Sequence, residues 1–179
     1  MENKIAVIYK SKYGATKRYA GWIALKLEAD LYEVSDIVRK DLNDYDTIIY
    51  GGPLYIGKIK GIKFITNNYE YIKEKKVYLF MVGMREFDED YINSTLENNI
   101  PKEIIDNIET FYFRGKMNYQ ELSLKDKILM TGLRVRISNK KQSDRSNDDK
   151  MILETIDKSI DYIDKKSVDI LLNNVFSNS

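Results

Sequence analysis

Ile5-Ala6-Val7-Ile8-Tyr9-Lys10-Ser11-Lys12-Tyr13-Gly14-Ala15-Thr16-Lys17 decides the reading of this chain. The apolar run over 4–9 is continuous, as in a strand buried on both faces. It stops at Lys10, and a short loop of small, hydroxylic and basic residues follows. From Thr16 to about Glu28, the residues Tyr19, Ala20, Ile23, Ala24 and Leu27 recur at helical spacing and give one buried face. A strand, a tight loop and a helix start describe an anion cradle. The first N–H groups of a helix have no intrahelical acceptor, and the helix dipole favours negative charge there.

Outward from this unit, strands and helices alternate. A short second strand is predicted over 29–34. A third runs from Asp46 to Gly51 and stops at Gly51-Gly52-Pro53. A helix over about 62–75 places Ile62, Ile65, Tyr69 and Ile72 on one stripe, and 76–84 is the strongest strand. One or two short helices over 88–108 break at Pro101, because proline disfavours helix in the residue before it. A fifth strand spans 110–113, and Ser123 caps a helix to about Ile137. Residues 138–150 read as a polar loop. A final amphipathic helix is expected over 149–165, with Ile152, Ile156, Ile160 and Ile163 inward, then a short apolar turn of helix or a mobile tail over 168–176.

Such alternation implies right-handed βαβ units and a parallel sheet covered on both faces. The expectation is an α/β, doubly wound, five-stranded parallel sheet of order 2-1-3-4-5, its ligand at the switch point between strands 1 and 3.

The 179 residues suit a single domain, 1–179, of which 43% is hydrophobic and 32% charged. A formal net charge of +1 gives no argument for nucleic acid. No apolar window approaches the length of a membrane span, and no leader precedes the first strand, so a cytoplasmic protein is expected. Cysteine and histidine are both absent. That removes thiol chemistry and the usual neutral-pH base, and no metal site or catalytic side chain is expected. Redox chemistry here has to come from a bound cofactor.

In the first loop, Ser11 and Thr16 supply hydroxyls, Lys12 a charge and Gly14 a backbone able to turn and approach closely. The GK[ST] ending of a P-loop is missing, and a single glycine does not make a dinucleotide fingerprint. The same residues also suit an ordinary strand-to-helix turn with Thr16 as N-cap.

Lys10-Ser11-Lys12-Tyr13-Gly14-Ala15-Thr16 resembles the FMN phosphate loop of the flavodoxin-like family, in detail the branch that includes menaquinone-dependent protoporphyrinogen dehydrogenase. The departure from ordinary short-chain flavodoxins is Tyr13, which stands where they carry Ser or Thr. The resemblance implies FMN as cofactor, with Ser11, Lys12, Tyr13, Gly14, Ala15 and Thr16 around its phosphate. It further implies that Pro53, Leu54, Tyr55, Ile56 and Gly57 pack on the isoalloxazine. Tyr55 would stack, and the Ile56-Gly57 peptide would adjust to flavin N5 on reduction.

Gly83, Met84 and Arg85 would line the other side, Arg85 near the pyrimidine end; the alternative is a solvated arginine paired with Glu86. Residues 114–145 carry nine cations against three carboxylates, a local +6, around the apolar residues Leu124, Ile128, Leu129, Met130, Leu133, Val135 and Ile137.

That composition suits an anionic membrane surface or an acidic partner, or an extra helix with a solvated basic face. It lies in an insert of about 116–148 after strand 5, an insertion habitual in the dehydrogenase branch. The expected function is electron carriage by a flavodoxin-type protein toward a redox partner protein or quinone. The alternatives are an enzyme resembling the menaquinone-dependent protoporphyrinogen IX dehydrogenases of heme biosynthesis, with peripheral membrane contact through 116–145, and a binding module without flavin.

Overall fold

The computed structural model describes residues 3–178, apart from the side chain of residue 148, so the expected span 1–179 reaches past the described residues at both ends. By its contacts the chain forms two compact units, one of residues 1–115 with 163–179 and one of 116–162.

The first unit opens with β1 (Ile5–Tyr9), α1 (Ala15–Leu27) and β2 (Asp30–Glu33). A 3₁₀ turn over Arg39–Asp44 leads into β3 (Thr47–Tyr55), which pairs back with the two-residue β4 (Lys58–Ile59). Then come α2 (Lys63–Ile72), β5 (Lys76–Gly83), α3 (Glu89–Glu97), α4 (Lys102–Ile105) and β6 (Glu109–Arg114). The parallel strands lie in the order β2-β1-β3-β5-β6, which is the expected 2-1-3-4-5 with β4 added at the end of β3. Parallel register pairs Ile5 with Thr47, Thr47 with Lys76 and Tyr78 with Glu109.

Successive side chains of each strand serve opposite faces. Ala6, Ile8, Ile48, Tyr50, Leu79 and Met81 pack with Ile65, Tyr69 and Ile72 of α2 and with Ile92 and Leu96 of α3. Val7, Tyr9, Ile49, Phe80 and Phe113 pack with Tyr19, Ala20 and Ile23 of α1 and with Leu171, Leu172 and Val175 near the C-terminus. Each large aliphatic side chain or phenylalanine among these, removed from water, contributes roughly 1.5–3 kcal/mol, set against its ordering entropy.

The second unit contains β7 (Lys116–Asn118), α5 (Leu124–Ser138), α6 (Asn147–Thr155) and β8 (Ser159–Asp161). β7 and β8 pair antiparallel, with Met117 opposite Ile160. Ser123 caps α5 as expected, its Oγ accepting the Asp126 N–H at 3.2 Å. The chain then returns to the first unit through α7 (Asp169–Ser177).

Here the expectations need correcting. The expected loop 138–150 contains a 3₁₀ turn over Gln142–Asp144 and the start of α6. Ser146 and Asp149 close that helix start reciprocally, each side chain accepting from the other's N–H, which substitutes for an apolar anchor. The Lys140 ammonium, 2.7 Å away, holds the Asp149 carboxyl below the usual range.

The single helix expected over 149–165 does not form. Ile156 is buried at the end of α6, while Ile160 belongs to β8, where cross-strand pairing replaces helical bonding. Residues 168–176, expected as a short apolar turn of helix or a tail, take the helical alternative as α7, whose Leu171 is fully buried in the core. The second unit extends to Tyr162, whereas the expected insert ends at about 148, where the last helix was expected to begin.

Tyr19 marks the two points where the first unit is left and rejoined. Its ring is fully buried, 4.9 Å from that of Phe113. Its hydroxyl donates to the Arg114 carbonyl at 2.7 Å and accepts the Asp164 N–H at 3.1 Å. Tyr19→Phe strands both backbone groups and is expected to cost about 2 kcal/mol. The check is a lower denaturant midpoint at unchanged slope.

Candidate functional site

Three loops leave the C-terminal ends of β1, β3 and β5, which are neighbours in the sheet. After β1, the Lys10 N–H donates to the Gly51 carbonyl at 2.9 Å, carrying the β1–β3 pairing one residue further. Ser11 Oγ then accepts the Gly14 N–H at 3.1 Å and tightens the turn. Gly14 sits at φ 86°, a conformation that is unstrained only for glycine, and is itself the N-cap of α1.

The helix therefore begins at Ala15, one residue earlier than the sequence pattern indicates. Thr16 is not its cap but its second residue, buried at 1% exposure. No side chain caps this helix. The geometry of a helix start leaves the Ala15, Thr16 and Lys17 N–H groups without intrahelical acceptors. The first turn carries no acid, and Lys17 and Arg18 oppose the positive end of the dipole. Such an arrangement costs stability until an anion sits on it.

The second loop differs from expectation in form. The glycine-rich stretch Gly51-Gly52-Pro53-Leu54-Tyr55 is strand, not loop, and the turn is confined to Ile56 and Gly57. Beyond Gly51 the flank of β3 that β1 covered is open, which is where a proline without an N–H fits a sheet. The chain doubles back there, and the Lys60 N–H donates to the Pro53 carbonyl at 3.0 Å. Tyr50 Oη donates to the Lys60 carbonyl at 2.8 Å; burial pushes this phenol up, so it stays protonated as a donor.

Ile56 at φ 51° and Gly57 at φ 66° make a two-residue turn of the primed type. That turn favours Asn-Gly, whereas a β-branched residue there is strained, and Ile56 is 67% exposed, so packing does not repay it. Ile56→Asn is expected to stabilise the protein by about 1 kcal/mol. Calorimetry should show this as a rise of roughly 2–4 °C in Tm.

The tip is held from α3. Asn99 Nδ2 donates to the Gly57 carbonyl at 2.8 Å and to the Thr95 carbonyl at 2.7 Å, and its Oδ1 accepts the Ile59 N–H at 3.1 Å. Lys58 Nζ donates to the neighbouring Asn98 carbonyl at 3.3 Å.

The first two loops meet at Tyr55. Lys12 Nζ lies 4.9 Å and Lys60 Nζ 5.1 Å from its ring centre, and Lys12 is also 5.4 Å from that of Tyr13. The third loop turns another way. Gly83 accepts the Gly115 N–H at 2.7 Å, and Met84 accepts from Arg114 at 3.4 Å. The Arg85 guanidinium stacks on Tyr91, 3.7 Å from its ring centre, and its carbonyl accepts the Tyr112 hydroxyl at 2.9 Å. Glu86 forms an ion pair with Arg114, at 3.7 Å.

The structure thus joins Lys12, Tyr13 and Tyr55 and sets Gly83–Arg85 one strand further along, Pro53 lying beside Val82. Asn99 and Lys60 carry no motif and were missed. An uncapped, basic helix start beside an aromatic hairpin suits a ligand with a phosphate at one end and a planar group at the other.

No curated protein matches the sequence. Among solved structures, the chain is similar to the Trp repressor binding protein of Bacillus subtilis at 17% identity and TM-score 0.48, covering 64% of this chain and 85% of that one. It is similar to flavodoxin 2 of Bacillus cereus at 21% and 0.42, covering 61% and 84%. For a flavoprotein in complex with FMN from Lactobacillus acidophilus the values are 20% and 0.43, covering 63% and 93%. The assignment rests instead on the family described as flavodoxin domain, which matches residues 6–146. That span runs from β1 into the second unit and takes in all three loops, and the chain belongs to the flavodoxin domain family.

Proposed function

We propose that the protein is an FMN-binding, flavodoxin-type electron carrier. The observation that carries this is the uncapped start of α1, framed by Ser11, Lys12 and Gly14 and facing a basic, aromatic hairpin. Bound FMN supplies the acceptor and donor of electrons. The chain's part is to bind and position. The N–H groups of Ala15, Thr16 and Lys17 and the Ser11 hydroxyl hold the phosphate, with the charge of Lys12 beside them. Tyr55 and the Ile56-Gly57 peptide flank the ring on one side and Gly83–Arg85 on the other. No side chain has to titrate near neutral pH, in keeping with a chain that has no histidine.

The test is titration of FMN into the purified protein, followed by flavin fluorescence. Quenching to a stoichiometric end point is expected; protein that stays colourless and leaves the fluorescence unchanged overturns the reading.

A second reading, an enzyme resembling menaquinone-dependent protoporphyrinogen dehydrogenase, draws on the second unit. Its α5 exposes Leu124, Ile128, Leu129 and Val135 among lysines and arginines, a face able to rest on a membrane near a quinone. Its charge is smaller than the +6 counted over 114–145, because α6 and the residues after it return carboxylates. Arg134 pairs with Asp157 and Lys140 with Asp149, and residues 116–162 together carry ten cations against eight acids. No helix among the described residues is long and apolar enough to cross a membrane. Turnover of a reduced porphyrin with a naphthoquinone is expected on this reading and not for a carrier.

A further inference from the structure

Residues 10–18 and 51–63 contain Lys10, Lys12, Lys17, Arg18, Lys58, Lys60 and Lys63 and not one aspartate or glutamate. The chain as a whole is nearly balanced, with 29 cations and 28 acids. The sheet order brings these two segments together, since β1 and β3 are neighbours and Lys12 and Lys60 both reach the ring of Tyr55. The next loop along the same edge has the opposite sign, with Glu86, Asp88, Glu89 and Asp90 around Arg85. Lys10 pairs with Glu33 at 3.1 Å, and the six cations left make the edge polarised, positive over β1 and β3 and negative in the loop after β5. At the turn of the hairpin within the positive part stands Ile56, 67% exposed and held at φ 51°.

From this polarised edge we infer that the rim of the cofactor site is a docking face for a redox protein with an acidic surface. The strained Ile56 is its apolar anchor, and Lys12, Lys58, Lys60 and Lys63 are its charged collar. The inference rests on the electron-carrier reading and adds the partner's chemistry to it. A collar of one sign raises the rate of encounter and rejects partners of like sign, and the acidic neighbour loop fixes the angle of approach. A small buried apolar anchor inside a charged rim is how transient interfaces gain affinity from little area. The anchor also accounts for an isoleucine kept where asparagine would be more stable.

The experiment measures binding of the full chain to two probes of opposite charge, an acidic plant-type ferredoxin and the basic cytochrome c of mitochondria, by calorimetry at low and moderate salt. Ferredoxin should bind, and its affinity should fall about tenfold between 20 and 200 mM salt, as screening predicts. The double variant Lys58→Glu/Lys63→Glu should lose about tenfold more, and Ile56→Asn should weaken binding while raising Tm. Cytochrome c should bind less tightly than ferredoxin.

Equal or tighter binding of cytochrome c, a salt-independent ferredoxin affinity, or no ferredoxin binding at 20 mM salt overturns the proposal. So does tighter binding to phosphatidylserine vesicles than to ferredoxin. FMN titration of the same samples keeps the two readings apart. Ferredoxin binding without FMN binding fails the carrier and not the face; FMN binding without ferredoxin binding fails the face alone.

Discussion

Gly14→Asp is expected to lower FMN affinity by more than about a hundredfold and to leave the affinity for riboflavin unchanged. The Cβ at position 14 meets nothing within 4 Å, so bulk is not the cause. Nor is the fold. Aspartate tolerates the left-handed region better than most residues, and as an N-cap it can accept from the N–H groups left open at the start of α1. The strain and the cap are each worth about 1 kcal/mol and oppose one another, so apo stability should hold.

What the substitution changes is occupancy and sign. Its carboxylate takes the donors meant for the ligand and faces the phosphate at about 4 Å, where like charges repel by roughly 4 kcal/mol at an effective dielectric of about 20. Riboflavin has the same ring and no phosphate, so it reports the rest of the site. Gly14→Asn competes for the donors without the charge and should lose less. The cradle reading is lost if FMN binds Gly14→Asp as tightly as the parent, or if riboflavin affinity falls by the same factor.

The parts of this molecule legible in its sequence are those written locally. β1, its loop and α1 follow from a continuous apolar run, a break at Lys10 and a 3.6-residue stripe, and each signal is complete within a few residues. The order of the parallel strands follows from handedness and the place of the loop, and the structure has that order.

What could not be read depends on partners distant in sequence. Gly51-Gly52-Pro53 looks like a loop because glycine and proline usually end strands; it is strand because β5 pairs with it and Lys60 folds back on it. The isoleucines at 152, 156, 160 and 163 have helical spacing by coincidence, since Ile160 answers to Met117 more than forty residues earlier. For α7 the sequence left a turn of helix or a tail open because the segment is short, and the sheet face it covers decides for the helix. In the candidate site, the hydroxyls, lysines and glycine of the loop after β1 and the aromatic ring of Tyr55 were visible in the sequence. Asn99 was invisible, because an asparagine after a helix usually signals only its end.

Asn99→Ala is where the second large effect is expected. One side chain makes three hydrogen bonds, two of them to the 57–59 hairpin, and at roughly 1 kcal/mol each the loss is about 2–3 kcal/mol. Part of it should appear locally. The Ile59 N–H loses its side-chain acceptor, and the Gly57 carbonyl no longer holds a turn that contains a strained isoleucine. Amide exchange at 56–60 should therefore accelerate more than in the buried strand β5, even in protein without flavin.

Asn99→Asp separates the two halves of the clamp. It keeps an acceptor for Ile59 and removes the donor to Gly57, placing a negative charge against a carbonyl oxygen. If Asn99 serves only α3, through Thr95, both variants should lower Tm and leave the exchange rates of the hairpin in step with the rest of the sheet. If it sets the hairpin, exchange at the tip rises out of proportion. In FMN-loaded protein the flavin potential should then also move if the 56–57 peptide lies beside the ring as proposed. Ile56→Asn offers the rescue: relieving the strain at the tip should recover part of the exchange protection lost with Asn99. A clamp and a strained turn acting on the same peptide require that coupling, whereas two independent defects would add.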